Sequence, residues 1–349
     1  MAVTLKDIAK HTGYSITTIS RALAGYSDVS PSTRQKVQHA AELLGYQPNL
    51  VARHLQSQRT RTIGMVLPLR DQDVTSDFFT ELLRGVSDRA SQANYDILTS
   101  AQMYGSDEEM YAYRRIVGGG RVDGMIVARA RRNDPRIAYL KALDFPFAVS
   151  GSGGEDDPSD FPHIDVDNQD GIQQATDHLI DLGHRTIGLI LPPEEMAYTA
   201  QRHHGYQRAL QAAGIAYEAR YVRYADLQPA GGYVAGIDLL NCYPEMTAIV
   251  ACSDLMAIGS MQAIQALGKR VGDDIAVTGF DDIPVAQYAN PPLTTIHQPI
   301  YDIGQQLTAN LIDMIEGLPV QPVKVMLPTT LRVRASSGGK RERRTPAGD

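Results

Sequence analysis

The first 46 residues carry apolar side chains at helical spacing, interrupted by turn residues. A first helix opens at Thr4-Leu5 and ends before Gly13, and a second runs over residues 15–23. A third begins at Ser30-Pro31, with serine as N-cap and proline in the first turn, and ends at Gly45. The apolar positions of the first and third helices are Leu5, Ile8, Ala9, Val37, Ala40, Ala41 and Leu44. Three short helices with a glycine-containing turn between the first two predict a helix-turn-helix headpiece over residues 1–47.

A break in the helical pattern follows the headpiece. Gln47-Pro48-Asn49 interrupts the chain, and residues 50–56 have the length for one or two helical turns. Residues 57–61 are polar throughout. We therefore predict a short helix and a linker over residues 48–61.

From Thr62 onward, short apolar runs alternate with amphipathic segments. The predicted strands are 63–67, 96–100, 124–128, 145–149, 164–166, 187–191, 248–251 and 275–279, with closing pieces in 323–334. The predicted helices are 77–94, 169–183, 199–213, 230–241, 254–267 and 300–317. Alternation of this kind is typical of parallel sheets covered by helices. It is too long for one compact sheet and runs twice.

The fold class that follows is a helical headpiece joined to a two-lobed α/β body over residues 62–336. The stretch 150–162, rich in Asp, Gly, Pro and Ser, marks the boundary between the halves. We assign the first lobe to about 62–160 with 294–322, and the second to about 161–293 with 323–336. Residues 337–349 are predicted to be a disordered tail, without the leucine heptads of a tetramerising coil.

The distribution of charge changes what the net value of −7 implies. Residues 1–62 hold eight Lys/Arg against three Asp/Glu, whereas residues 63–339 hold 21 against 35. A basic N-terminal module on an acidic body suggests a nucleic-acid partner. A basic face that simply meets solvent is the alternative that charge alone leaves open.

Several classes of protein find no support in the composition. The two cysteines, Cys242 and Cys252, lack metal-site spacing, so we predict two buried thiols. Without an apolar signal segment or a run of 18 apolar residues, we expect a cytoplasmic protein that does not cross a membrane. Nucleophile-elbow, Walker and zinc-protease motifs are lacking as well. We predict no enzyme activity, no cofactor and no metal.

The second helix has the composition of a recognition helix, whose N-terminal residues reach base edges in the major groove. Ile16 can contact a thymine methyl group, and the alternative is that it lies in the headpiece core. Thr17 can donate or accept a hydrogen bond at a base edge, and Arg21 can pair bidentately with guanine. Ile19 and Leu23 are predicted to be core. The hydroxyl groups of Thr18 and Ser20 suit contacts with phosphates, and such contacts position a protein on DNA without specifying sequence. The predicted DNA contacts of the headpiece are Thr4, Ser15, Ile16, Thr17, Thr18, Ser20, Arg21, Ser30, Thr33 and Arg34.

These segments resemble the lactose/galactose repressor (LacI/GalR) family. The resemblance lies in LKDIAKHTGYSITTISRAL (5–23), VSPSTR (29–34), LGYQPN (44–49), ARHL (52–55), RTRTIG (59–64) and PPLTTI (291–296). It implies a homodimer that binds a near-palindromic operator, with Ile16 and Thr17 at the positions that mainly choose sequence. One departure is Ala24, where the family usually has Asn, and it suggests a different preferred operator.

The resemblance also assigns a hinge helix to residues 49–55. In the family, paired hinge helices enter the minor groove, and a leucine wedges into the central base step. Asn49, Ala52 and Leu55 match these DNA-contacting positions. An exposed leucine on a short polar helix is explained by such an insertion. A small packing contact with the headpiece is the alternative.

The body resembles periplasmic sugar-binding proteins, in which two α/β lobes close on a ligand. Ligands of open α/β sheets lie beyond the carboxyl ends of the strands, and polar residues follow several apolar runs at that edge. Carboxylates and an arginine fork suit sugar hydroxyls, and an aromatic plane suits a pyranose face. The predicted effector-binding residues are Phe78, Phe79, Ser150, Gly151, Arg202, Asp254, Asp281 and Gln298.

Two of these residues have structural alternatives. Asp254 also fits a helix N-cap, and Phe79 also fits the core. At 150–151 many relatives carry a larger or charged side chain, so the identity of the effector stays open. The function predicted is a repressor of carbohydrate-utilisation genes, controlled by a small-molecule effector such as a sugar. A solute-binding module without DNA function is the alternative.

Overall fold

The computed structural model of the chain describes residues 3–23, 26–46, 59–69, 77–151, 161–320 and 322–339. Contacts divide the chain into two compact units, residues 1–60 and residues 61–349. Within the described ranges, no helix combines the length and the apolar character needed to cross a lipid bilayer.

The first unit contains the three predicted helices, α1 (Leu5–Thr12), α2 (Ile16–Leu23) and α3 (Pro31–Leu44). Local capping sets their ends. The backbone N–H of Thr4 donates to the Asp7 carboxylate over 2.8 Å, and the backbone N–H of Thr33 donates to Ser30 Oγ over 3.2 Å. Gly13 ends α1 at φ +76°, a conformation that glycine adopts without strain. A small core holds the helices together, built around Ile8, Ile19, Ala22, Val37 and Ala40.

The second unit contains two six-stranded sheets. Its strands are β1 (Thr62–Leu69), β2 (Asp96–Met103), β3 (Gly124–Val127), β4 (Phe147–Ser150), β5 (His163–Val166), β6 (Ile187–Leu191), β7 (Val222–Tyr224), β8 (Ala248–Ala251), β9 (Ala276–Asp281), β10 (Thr294–His297), β11 (Lys324–Leu327) and β12 (Thr330–Arg332). The sheet orders are β11-β5-β4-β3-β1-β2 and β12-β10-β9-β8-β6-β7. Neighbouring strands are parallel except β10 and β12. The predicted two-lobed α/β body is confirmed.

Helices cover these sheets, as parallel strands require. They are α4 (Asp77–Gln92), α5 (Asp107–Gly118), α6 (Pro135–Ala142), α7 (Asn168–Asp181), α8 (Thr199–Ala212), α9 (Pro229–Cys242), α10 (Asp254–Ala266) and α11 (Ile300–Glu316). Close packing of α4 on α11 depends on glycine. A Cβ on Gly85 would lie 2.1 Å from the carbonyl oxygen of Tyr301, and one on Gly304 would lie 2.4 Å from that of Leu82. Substitution at either glycine would force the two helices apart.

The strand pairing corrects the predicted lobe boundaries. Strand β5 pairs with β4, so residues 163–166 belong to the first lobe rather than the second. Strand β10 pairs with β9, which places residues 294–297 in the second lobe, and β11 pairs with β5 in the first. The chain therefore crosses between the lobes three times, after β5, β10 and β11. Composition placed the boundary between the halves at 150–162, whereas the chain crosses only after β5, because composition could not identify the partner of the next strand.

Two smaller predictions also need correction. The residues at 337–339 are not part of a disordered tail, because Ser337 is fully buried and bonds to Thr294 over 2.9 Å. Its neighbour Ser336, also fully buried, donates to the carbonyl oxygen of Val277 over 2.7 Å. Residues 340–349 lie outside the described part of the chain. Of the two thiols, Cys252 is buried as predicted, whereas Cys242 is exposed near the end of α9.

Candidate DNA-binding face and ligand cleft

Helix α2 presents a mixed apolar and polar face to solvent. Ile16 is 43% exposed and Thr17 is exposed beside it, while Ile19 is fully buried. The exposure of Ile16 is unusual for a large aliphatic residue at the start of an amphipathic helix. It leaves the side chain free to meet an apolar group such as a thymine methyl.

Several predicted DNA contacts also cap the headpiece helices. Ser15 Oγ accepts the backbone N–H of Thr18 over 3.1 Å, so it opens α2. The hydroxyl of Thr4 bonds to Asp7 over 2.7 Å, and Ser30 Oγ bonds to Thr33 Oγ1 over 2.9 Å. These residues lie at helix N-termini, where backbone N–H groups favour phosphate. Contact with DNA remains a prediction for each of them.

Two further predicted DNA contacts make hydrogen bonds within the headpiece. Arg34 Nη2 donates to the carbonyl oxygen of Tyr26 over 2.8 Å, and Arg21 Nη2 donates to Asp28 over 2.5 Å. Ser20 is half-buried on α2. The hinge predictions Asn49, Ala52 and Leu55, together with the family departure at Ala24, fall outside the described residues.

The body contains a cleft to which both lobes contribute. Ser150 ends β4 of the first sheet, and Asp281 ends β9 of the second, so the cleft lies at the carboxyl ends of the parallel strands. Its lining residues are Phe78, Arg129, Ser150, Gly151, Asp165, Tyr198, Arg202, Leu227, Ser253, Asp281, Gln298 and Ile303. Six predicted effector residues are among them, namely Phe78, Ser150, Gly151, Arg202, Asp281 and Gln298.

Phe79 and Asp254 do not line the cleft. Phe79 is 7% exposed and packs edge to face on Phe78, with ring centroids 5.5 Å apart. The Arg129 guanidinium lies over both rings, 5.0 Å from the first and 4.7 Å from the second. The alternative of a core residue is therefore the better description of Phe79, which supports the cleft wall from behind.

Asp254 is completely buried and is not an N-cap either, because Ser253 caps α10 by accepting the backbone N–H of Met256 over 3.2 Å. The Asp254 carboxylate accepts the N–H of Ile283 over 2.9 Å and the hydroxyl of Thr295. It thereby ties the start of α10 to β10 and to the segment after β9.

Sequence reasoning missed half of the lining. Arg129 lies two residues after the carboxyl end of β3, and Ser253 lies two residues after that of β8, so position offered a signal for both. Asp165 lies inside β5, and Tyr198 precedes α8, where a pattern of alternating strands and helices gives no reason to choose them. Leu227 and Ile303 are apolar and could not be distinguished from core.

Arg202 is the most firmly held side chain of the cleft. Its Nε donates to Asn168 Oδ1 over 2.8 Å and its Nη1 donates to the carbonyl oxygen of Cys252 over 2.5 Å. The guanidinium carbon lies 3.8 Å from the ring centroid of Phe280 and 4.4 Å from that of Tyr198. Within the described part of the chain Nη2 has no hydrogen-bond partner. With Nε and Nη1 fixed and both N–H groups of Nη2 open, the guanidinium is a rigid fork that can bind a ligand.

Other polar atoms of the lining are similarly open. Gln298 Nε2 donates to Asp281 Oδ1 over 2.5 Å, which leaves the amide oxygen of Gln298 for a ligand, while the Asp281 carboxylate also accepts a backbone hydrogen bond from Asp254. The hydroxyls of Ser150 and Tyr198 make no hydrogen bonds among the residues that the structure describes. The cleft thus holds donors and acceptors in roughly equal supply, beside aromatic faces.

The cleft brings the carboxylate of Asp281 close to the positive charges of Arg202 and Arg129. Burial raises the pKa of Asp281, and the nearby charges of Arg202 and Arg129 oppose that rise. The backbone of Asp281 has φ +125°, and that of Asp282 has φ +58°, conformations that non-glycine residues rarely adopt. Such strain is typical of segments that hold a side chain in a ligand site.

Asp254 gives the body a testable pH dependence. Burial, followed by the charge of Asp281, raises the pKa of Asp254 above its ordinary value of 3.8. The folded chain therefore keeps this proton at pH values where the unfolded chain has lost it, and the free energy of unfolding falls as pH rises through that window. The slope contributed is at most about 1.4 kcal/mol per pH unit.

The measurement compares urea unfolding of the wild type with that of Asp254→Asn between about pH 5 and pH 7. We expect a flatter dependence in Asp254→Asn, since asparagine carries no titrating proton. Asp302→Asn, an exposed position on α11, is the control and should follow the wild type. Parallel curves for all three proteins would show that Asp254 is ionised in the folded state.

Comparison with known proteins agrees with this architecture. Residues 4–49 match the family of bacterial regulatory proteins, lacI family, and residues 176–337 match the periplasmic binding protein-like domain. The chain is 34% identical over 334 residues to the HTH-type transcriptional regulator CelR of Thermobifida fusca, covering 95% of this chain and 98% of the relative.

Two solved structures extend the likeness. A complex of the transcriptional regulator CelR with cellobiose has a TM-score of 0.75 and 33% identity, covering 96% of this chain and 99% of the other. The lac repressor dimer bound to operator and an anti-inducer has a TM-score of 0.83 and 29% identity, covering 97% and 100%. This chain has a helix-turn-helix headpiece and a two-lobed body, and it matches its relatives over nearly their whole length. It therefore belongs to the lacI family of bacterial regulatory proteins.

Proposed function

We propose that the protein is a transcriptional repressor of carbohydrate-utilisation genes, whose affinity for operator DNA is set by a sugar bound between the lobes. The observation that carries the proposal is the pairing of an exposed recognition helix with a cleft of open hydrogen-bonding groups in one chain. Neither feature alone separates a regulator from a solute-binding module. The lac repressor structure, a dimer bound to operator, supports a homodimer of this chain on a near-palindromic site.

A neutral sugar fits the chemistry of the cleft. The open Nη2 donors of Arg202, the open amide oxygen of Gln298 and the remaining lone pairs of the Asp281 carboxylate match the hydroxyl groups of a pyranose, each of which both donates and accepts. Phe78 and Tyr198 supply aromatic surface for its apolar face. Asp165 and Asp281 balance Arg129 and Arg202, so the lining offers no excess of positive charge for a phosphorylated ligand. The CelR–cellobiose complex supports the same class.

The same proposal places the protein in the cytoplasm, where a bacterial repressor meets DNA, and assigns it no enzymatic activity. The described lining of the cleft contains neither cysteine nor histidine, and the neighbouring Cys252 thiol, which lies behind the lining, has its pKa raised to about 12 by burial, which keeps it protonated. The polar groups of the lining bind and orient a ligand without acting on it.

Salt dependence tests the DNA half of the proposal. A duplex selected from a randomised pool is titrated with the full-length chain, and binding is followed by fluorescence anisotropy. For about six to ten phosphate contacts per dimer, affinity should fall about 10³- to 10⁵-fold between 50 and 200 mM salt. If no duplex binds at low salt while a sugar still binds, the protein is a solute-binding module instead.

A thermal-shift screen tests the sugar half. Cellobiose, glucose, glucose 6-phosphate and adenosine represent the disaccharide, monosaccharide, phosphosugar and nucleoside classes. A ligand at 100 times its Kd stabilises the folded state by about 2.7 kcal/mol, which is visible as a higher melting temperature. We expect a neutral sugar to give the largest shift. A larger shift with glucose 6-phosphate would contradict the charge balance described above.

A further inference from the structure

Arg21 of the recognition helix is held by two side chains that follow the helix. Its Nη2 donates to Asp28 Oδ2 over 2.5 Å, and its guanidinium carbon lies 4.6 Å from the centroid of the Tyr26 ring. Arg21 makes no other side-chain hydrogen bond with the part of the chain that the structure describes. The carboxylate therefore takes one donor, and the aromatic ring covers one face of the guanidinium.

The residues that hold Arg21 are themselves anchored. The backbone N–H of Tyr26 donates to the carbonyl oxygen of Arg21 over 3.1 Å, and Arg34 Nη2 donates to the carbonyl oxygen of Tyr26 over 2.8 Å. The N–H of Val29 donates to the same carbonyl over 3.3 Å. Tyr26 is thus tied to both α2 and α3, which fixes it relative to Arg21.

We propose that Asp28 and Tyr26 are positioning residues, which orient Arg21 so that its open edge reads one base pair. The inference rests on the proposed DNA-binding function. A guanidinium has five N–H donors in a planar fork. Because one N–H of Arg21 is bonded to Asp28 and one face of its guanidinium is covered by Tyr26, an edge with two N–H donors stays open for the O6 and N7 acceptors of guanine.

The charge of Asp28 is the second reason for this assignment. Its side chain is 55% exposed, and it lies two residues before Ser30, the N-cap of α3 and a predicted phosphate contact. A carboxylate near DNA phosphates weakens binding by repulsion unless it supplies a compensating benefit. Ordering a long, flexible side chain before DNA arrives supplies one, because less conformational entropy is lost on binding.

The experiment measures base discrimination by the full-length chain. A duplex operator selected from a randomised pool, and its variants with each base pair changed singly, are titrated with wild type, Asp28→Asn, Arg21→Ala and the double variant. Arg21→Ala identifies the base pair that Arg21 reads, as the position at which discrimination is lost. Asp28→Asn should reduce discrimination at that same base pair by about threefold to tenfold. In the Arg21→Ala background, Asp28→Asn should leave discrimination at that base pair unchanged.

Two further variants separate positioning from general electrostatics. Glu42→Gln removes another exposed carboxylate of the headpiece, on α3, and should alter affinity uniformly across the duplexes without affecting any one base pair. Tyr26→Leu removes the ring and should reduce discrimination at the base pair that Asp28→Asn affects. Circular dichroism of each variant checks that the headpiece helices remain, as expected for side chains that are all substantially exposed.

Three results would overturn the inference. Tighter operator binding by Asp28→Asn that disappears with Arg21→Ala would mean that Asp28 competes with DNA for Arg21. Uniform effects of Asp28→Asn, equal to those of Glu42→Gln, would mean that only its charge matters. Undiminished discrimination in both Asp28→Asn and Tyr26→Leu would mean that Arg21 orients itself. Failure of the wild type to bind any duplex would refute the DNA-binding function instead.

Discussion

Arg202→Ala is expected to abolish the response of operator binding to the sugar that gives the largest thermal shift with the wild type. The substitution removes the two open Nη2 donors and the positive charge that contributes most to lowering the pKa of the buried Asp281 carboxylate. Loss of two charge-assisted hydrogen bonds to the ligand raises the Kd for the sugar by at least about 100-fold. Operator affinity without sugar should stay close to that of the wild type.

The matched control is Arg208→Ala, an exposed arginine on the same helix. It removes the same charge from α8 but has no place in the cleft, so both the sugar affinity and the response should survive. Isothermal titration measures the Kd, and anisotropy measures the shift in operator affinity. A retained response in Arg202→Ala, with the protein folded by circular dichroism, would remove Arg202 from the binding site.

Arg136→Leu is expected to destabilise the body by about 3–5 kcal/mol, which is the cost of removing one partner of a buried ion pair and leaving the other charge uncompensated. Arg136 is fully buried in the first lobe, and its Nη2 lies 2.7 Å from Asp134 Oδ2. Its Nη1 lies 3.3 Å from Glu109 Oε1. Leucine would leave both carboxylates buried without this partner, which is far more costly than the loss of an exposed ion pair.

Arg270→Leu provides the comparison at the surface. Arg270 pairs with Asp273 over 3.0 Å and with Asp274 over 3.2 Å, but its side chain is 71% exposed. Water screens such pairs, so the expected loss is far smaller than that of Arg136→Leu. Urea unfolding of both variants measures the difference. Equal losses would show that the Arg136 cluster is solvated in the folded state.

The Arg136 cluster also bears on the ligand cleft. Arg136 Nη2 donates to the carbonyl oxygen of Arg129 over 3.0 Å, and Arg129 lines the cleft with a backbone φ of +52°. Next to it, the backbone N–H of Ala197 in the second lobe donates to the carbonyl oxygen of Ala130 over 3.0 Å. The buried cluster therefore stabilises the segment at which the two lobes meet beside the cleft.

The headpiece was predictable because its signals are local. Capping residues, glycine turns and helical spacing each act within a few residues, and they located α1, α2 and α3 within a residue or two. The helices α5 and α6 were missed. Helix α5 contains Asp107, Glu108, Arg114 and Arg115, and its charged surface hides the apolar stripe that packs on the first sheet.

The order of the strands and the complete set of cleft-lining residues could not be predicted from local signals. Short apolar runs predicted most strands, but any parallel strand can pair with any other, so the lobe of β5, β10 and β11 depended on long-range packing. Asp254 and Asp281 look alike in the sequence, each following an apolar run. Only the tertiary structure places the first against Thr295 in the interior and the second at the cleft.

The sequence by itself determined the helix-turn-helix headpiece, the two-lobed α/β class and the family, because periodicity, capping and motif spacing are written along the chain. Matches to the family, with the positions that follow apolar runs, added six residues that line the cleft. The tertiary structure decided which lobe each crossing strand joins, which carboxylate lines the cleft, and that Asp28 and Tyr26 contact Arg21. The first two depend on groups brought together from distant segments, and the third depends on how side chains are oriented around a turn, which the periodicity of the sequence does not record.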